Sequence, residues 1–362
     1  MSYKKKLIWL CVIVVLLTVI QTILPYKPAW TIIYADYIFV PYQSLRNILF
    51  GWSRLSFGDL LYLFLAFFLL KVVVKWIYYL VRIRSKGDLL LHSIFNTAII
   101  FSFIYLLFIL GWGGNYYKPS LTTYWHMDKG QWQKDTTEII YDKFLVDKLN
   151  TYAPGFKPLP FKEVRGNAMD YYKKHTDCKA RLHGLNIKPS IYGFLMQYLG
   201  IQGYYNPITG EAQVNRFLPE FMLPFVVVHE MAHQAGIAAE DDANLMAYTI
   251  SIKSGDPTFR YSAYLNMWLY NHNRIRRRDS VLADEMRSWL NPLTLQHLDT
   301  LKQIRLRYKS DVSLYSSSMY DLYLKMLQQE EGIMSYNQAV ITAWTWEQAP
   351  DSVKSKNILM IP

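Results

Sequence analysis

Residues 225–236 read FVVVHEMAHQAG. Within them His229-Glu230-Met231-Ala232-His233 is an HExxH pattern, and Val226–Val228 form an apolar approach to it. On a helix, residues i and i+4 stand one above the other, so His229 and His233 share a face and can bind one Zn²⁺. Glu230, one residue on, can reach a water on that metal. Pro224 suits the first helical turn and Gly236 suits the end of the helix. Two plainer readings compete. Two histidines buried without a metal beside a glutamate are costly. A four-ligand structural zinc site has no cysteine nearby and leaves Glu230 without a role.

A third ligand is needed. The chain continues IAAEDDANLMAY over 237–248. A metzincin would place histidine at 239, where Ala239 stands, so that class is excluded. Acidic residues favour any first helical turn, which accounts for two of Glu240, Asp241 and Asp242. Glu240 has the longest reach and shares a face with Asn244, so it is expected to be the ligand, with Asp242 second. Gly236 lets the chain reverse, a second helix starts near Ala239, and Asn244 orients a ligand. Asp241, turned about 100° away, is expected in solvent.

Upstream the chain changes character. Residues 7–24 (LIWLCVIVVLLTVIQTIL), 60–81 and 89–111 are apolar runs of spanning length, the second carrying Lys71 and Lys75. The first lacks a following cleavage site and reads as a retained helix rather than a signal peptide. Three such runs within 112 of 362 residues predict a membrane anchor. Residues 1–112 hold eleven Lys/Arg against three Asp, most of the +11 net charge. That excess belongs to the membrane flanks, so no basic nucleic-acid face is expected. Lys4–Lys6, Arg82, Arg84 and Lys86 predict a cytoplasmic N-terminus and 82–88 loop, residues 25–57 as an outer loop, and 113–362 outside the cytoplasm. Cys11 and Cys178 are too few for a disulfide framework.

The fold class expected is mainly α, of α+β type: three transmembrane helices, then a larger body with one small hairpin. Helices are predicted over 136–150, 161–176, 224–235, 240–253, 260–275, 280–307, 318–330 and 335–346. Asn206-Pro207-Ile208-Thr209-Gly210 predicts the hairpin turn. Tyr248, His272 and Tyr336 are candidate proton donors or oxyanion stabilisers, though core or surface roles are the commoner fate of such residues. Arg274–Arg278 reads as a solvated face or a contact with anionic lipid.

Glu240-Asp241-Asp242-Ala243-Asn244 after HExxH resembles the E-x-x-A-[DN] signature of gluzincin-type peptidases, whose glutamate is the third zinc ligand. Nearly the full chain is similar to an uncharacterised family of Bacteroidetes membrane proteins, domain of unknown function 3810. The shared marks are the early apolar spans, WGGNY at 112–116, YNPITGEAQVN at 205–215, PFVVVHEMAHQ at 224–234, EDDAN at 240–244 and Ser335-Tyr336. Asp242 departs from the glutamate expected there, which favours Glu240 as the ligand. The resemblance implies a zincin-like domain over 113–362. The expected function is a zinc metallopeptidase in the inner membrane, its domain facing the periplasm and its substrate a peptide or protein of the cell envelope. Zn²⁺ is held by His229, His233 and Glu240, and Glu230 moves the proton. An intramembrane protease is disfavoured because 217–239 carries Glu220, Glu230 and two histidines. The remaining alternative is an inactive zinc-binding assembly or sensor protein.

Overall fold

A computed structural model of the chain describes residues 1–127, 132, 134–309 and 335–362. The three apolar runs form helices α1 (Tyr3–Tyr26), α4 (Phe57–Val81) and α5 (Ile83–Gly111), each long and apolar enough to cross a membrane. They mark the chain as membrane-associated. α1 packs on α5 through Ile13, Leu17, Leu106 and Ile109.

The stretch expected as an outer loop is helical: α2 (Pro28–Tyr34), a π-turn over Ala35–Phe39 and α3 (Val40–Gly51). α3 is built inside out. Gln43, Arg46 and Asn47 are buried, while Leu45, Ile48 and Leu49 are about half exposed at 51%, 56% and 52%.

A three-stranded sheet follows, with β1 (Ile187–Pro189), β2 (Gly203–Asn206) and β3 (Glu211–Val214) in the order β1-β3-β2. β2 and β3 are the expected hairpin, antiparallel with Asn206 opposite Glu211. β1 joins β3 in parallel, an addition the sequence did not suggest.

The body is helical: α6 (Leu121–Tyr124), α7 (Lys134–Tyr152), α8 (Phe161–His175), α9 (Cys178–Arg181), α10 (Gly193–Leu199), α11 (Leu223–Gln234), α12 (Glu240–Lys253), α13 (Pro257–Arg278), α14 (Ser280–Ser288) and α15 (Pro292–Arg307). A further helix spans Ser335–Gln348. The single helix expected over 280–307 is broken because Pro292 ends one segment and starts the next, with Asn291 capping the Thr294 N–H. The helix expected over 318–330 lies outside the described residues. One core, including Phe225, Tyr141, Trp268 and Trp346, joins α7, α11, α13 and the 335–348 helix. Burying each such side chain stabilises the fold by about 1.5–3 kcal/mol.

Anchor and body are joined by buried charges. The Lys188 Nζ is 2.6 Å from Glu211 Oε1 and donates to the carbonyls of Phe50 (2.7 Å) and Leu55 (3.0 Å). Glu211 accepts from the N–H of Gly58 (2.6 Å) and Phe57 (3.3 Å), the first N–H groups of α4. An anion thus meets a helix N-terminus and a cation the carbonyls at and just beyond the end of α3, the pairing both charges favour. Asp59, in the first turn of α4, accepts from Ile191 N (2.7 Å) and from Tyr204 Oη.

Candidate metal centre

α11 is buried along its whole length. The helix ends where predicted: Gly236 has φ +93°, and a Cβ there would lie 2.5 Å from the Phe39 ring. Only glycine fits both the left-handed backbone and the space. The Lys118 Nζ holds the turn by donating to Gly236 O at 3.1 Å. Ala239 is the N-cap of α12, so Glu240 lies in its first turn.

That reversal brings three donors together. Ligand atoms of His229, His233 and Glu240 all lie within 4.8 Å of one another, and all three residues are buried. The His229 Nε2 is 3.3 Å from Glu240 Oε2, and the His233 Nε2 is 3.5 Å from Glu240 Oε1. The other ring nitrogens are oriented from behind. His233 Nδ1 is 2.7 Å from the carbonyl of Ile237, which can only accept, so in the neutral ring the proton sits on Nδ1 and Nε2 is left for a cation. His229 Nδ1 and Asn244 Oδ1 are both buried without another partner, and the Asn244 side chain favours the protonated His229 ring. Asn244 Nδ2 donates to Glu240 O at 2.8 Å, which fixes the amide. Two imidazoles and a carboxylate at this spacing fit a divalent transition metal.

Electrostatics separate the two glutamates. Burial alone raises the Glu240 carboxyl, but the His233 charge and hydrogen bonds from both histidines outweigh it and hold Glu240 well below the usual carboxylate range. Burial lowers His233 and the two glutamates raise it further, to about 9. His229 is lowered, by burial against the opposing Glu240. Glu230 is pushed up to about 8, first by burial and then by repulsion from Glu240, against the pull of His233. One carboxylate is thus built to stay charged and the other to exchange a proton near neutrality.

The remaining candidates separate clearly. Asp242 is buried elsewhere: its Oδ1 accepts from Leu121 N at 2.9 Å and holds α6. Asp241 is partly exposed. Tyr248 and His272 are not at the centre, contrary to their candidacy. The Tyr248 hydroxyl donates to Glu347 at 2.6 Å in the core, and His272 stacks on Trp268 with Asp142 3.8 Å from its Nδ1. The helical register of α12 and α13 points both away. The Tyr336 side chain lies outside the described residues. Arg274 and Arg278 are not simply solvated, because both pair with the buried Glu138.

Two contributors carried no sequence signal. Tyr270 on α13 comes near enough that Glu240 and Glu230, after burial, raise its phenol and keep it protonated. Gly203 on β2 lies against Glu230, where a Cβ would stand 2.5 Å from Oε1. The anchor closes the other side. The Trp112 ring lies 6.1 Å from His233 and 4.3 Å from Tyr205. Gln234, next to His233, donates to Gly210 O (2.9 Å) and to Asn47 Oδ1 (3.3 Å) on α3.

Fold and site together define a membrane-associated helical protein with a buried two-histidine, one-glutamate centre, walled in part by its own anchor. The chain belongs to the family described as Protein of unknown function (DUF3810), whose profile matches residues 34–342. No curated protein and no solved structure matches it.

Proposed function

We propose that the chain is a membrane-anchored zinc metallopeptidase with a zincin-like body, acting on peptide or protein substrates at the periplasmic face of the inner membrane. The observation that carries this reading is Glu230: a buried carboxyl next in sequence to His229 of the three-residue centre, its Oε2 buried without a hydrogen-bond partner among the described residues. A purely structural metal site needs no such group. When bound, Zn²⁺ supplies a Lewis acid that polarises a carbonyl and acidifies water.

The chain's own residues do the rest. His229, His233 and Glu240 hold the metal, and the Ile237 carbonyl and Asn244 keep the rings aimed. Glu230 takes a proton from water and returns it to the leaving amine. Tyr270, kept protonated, is the candidate to hydrogen-bond an oxyanion. Asn215 N donates to Gln202 O at 2.8 Å, so in this antiparallel ladder Tyr204 and Asn206 face β3 while Gly203 and Tyr205 turn their backbone groups outward. An extended peptide on that edge would pass beside Glu230.

The test is elemental analysis of chain purified without chelator, paired with comparative proteomics of envelope proteins from cells carrying wild type or Glu230→Gln. One zinc per chain in both, with peptide termini lost only in the variant, is expected. Zinc in both with identical termini would replace this reading by that of an inactive zinc-binding assembly or sensor protein. No metal at all would end both.

A further inference from the structure

We propose that the rim of the small sheet is seated in the lipid bilayer, with the outer face of α3 and the segment around α10 in contact with lipid. Two independent observations lead there. α3 has the polarity of a membrane-exposed helix: Gln43 Nε2 donates to Gly210 O at 2.8 Å, Arg46 donates to Pro207 O, and Asn47 Nδ2 donates to His183 O at 2.6 Å. Its polar residues therefore grip the hairpin turn and the chain before β1, and Leu45, Ile48 and Leu49 face outward. In water the opposite arrangement is favoured, because exposing three large aliphatic side chains while burying three polar ones is costly.

The second observation is on the other flank of the sheet. Ile191, Phe194 and Leu195 are 46%, 61% and 52% exposed. They follow β1 directly, and Ile191 N is fixed on Asp59 in the first turn of α4. α10 has only seven residues, about 10 Å of rise, so its apolar residues stay near the start of a helix of spanning length. Both flanks are tied to one lysine, since Lys188 reaches the carbonyls of Phe50 at the end of α3 and Leu55 just before α4. The two apolar faces are thus continuous with the lipid-exposed surface of α4, where Leu60 and Phe64 are 46% and 66% exposed. Interfacial apolar faces of this kind enter the headgroup and acyl boundary by about 5–10 Å.

A second copy of the chain or another protein would be the other way to cover these residues, and the test separates them. In the full-length chain with Cys11→Ser and the buried Cys178 kept, Ile48, Phe194 or Leu195 is replaced by cysteine one at a time, and each variant is spin-labelled after reconstitution into phosphatidylglycerol/phosphatidylcholine bilayers, with the unsubstituted Cys11→Ser chain as the labelling blank. Phe64→Cys serves as the lipid reference and Val281→Cys, at a site 79% exposed on α14, as the water reference. The expected result is strong relaxation by oxygen and weak relaxation by a water-soluble nickel chelate at 48, 194 and 195, as at 64. Nickel access equal to that at 281 would overturn the proposal. So would labels immobilised and shielded from both agents, or dipolar broadening between labels, which would assign the surface to a protein partner or a second copy.

Discussion

Replacing Glu211 by alanine should be among the most damaging single changes outside the metal centre. The side chain is 5% exposed, pairs with Lys188 at 2.6 Å, and receives the Gly58 and Phe57 N–H groups. Removing it leaves a buried ammonium facing two carbonyls, and breaking a buried pair in this way costs about 3–5 kcal/mol. An ordinary buried ion pair is largely rescued when both partners become apolar. Here the double change Lys188→Met, Glu211→Leu should recover only part. The Gly58 and Phe57 N–H groups lose their acceptor in either case, at about 1–3 kcal/mol for a buried donor left unmade. The carbonyls lose less, because Ser53 also donates to both, from its N–H to Phe50 O and from Oγ to Leu55 O. Denaturant unfolding in detergent micelles, followed by near-ultraviolet circular dichroism, reads both variants against wild type. A single variant within about 1 kcal/mol of wild type, or a double variant fully restored, would refute the claim that this pair works by capping backbone groups.

Glu240→Ala should strip zinc, while Asp242→Ala should keep it and lose about 1.5–3 kcal/mol of stability with the Leu121 hydrogen bond; elemental analysis and melting curves on both decide, and the reverse pattern would move the ligand. Gly203→Ala forces Glu230 to move, since contact needs about 3.4 Å and the structure offers 2.5 Å. Zinc content should hold while turnover of a substrate found by proteomics falls about 100-fold, and unchanged turnover would detach β2 from the site. Zinc binding must expel the proton that the ion-free centre keeps on His233, whose pKa is raised to about 9. Affinity should therefore rise roughly tenfold per pH unit from about 6 to 8, read by chelator competition; a flat profile would contradict that protonation state. Lys118 is lowered to about 7, chiefly by burial and then by Arg181. Between about 7 and 10.5 the unfolded chain binds this proton and the folded one does not, so its contribution to stability should rise with pH across that window, an increment Lys118→Met removes from the melting profile.

The membrane helices were legible because a long apolar run needs no tertiary information, and the HExxH helix because its spacing is local. Glu240 was legible for the same reason: Gly236 sets the reversal and the first turn of α12 does the rest. The 25–57 segment was misread because its polar residues point inward, the reverse of the pattern by which helices in water are recognised. Tyr248 and His272 failed for a different reason. Nothing local distinguishes a tyrosine aimed at a carboxylate in the core from one near the metal centre, and only the packing of α13 on α11 sets Tyr270 where the two glutamates act on it. Gly203 could not be found at all, since its meaning lies in the Glu230 side chain that crosses its Cα.

The contact between Gln234 and α3 bears on which parts of the chain the metal centre needs together. The family match begins at residue 34, well inside the membrane-associated part, and Tyr34 already packs with Phe39, Trp112 and Ala238 beside the turn that follows His233. The matched stretch holds the π-turn, α3 and the second and third spanning helices, while Leu24 of α1 packs in the same cluster. A chimera with residues 1–26 exchanged for another single-span helix would keep Asn47, Phe39 and Trp112 but replace Leu24 and Ile20, which pack in the same cluster. A fragment starting at 113 would lose Asn47, Phe39 and Trp112 together, and with them the wall behind His233.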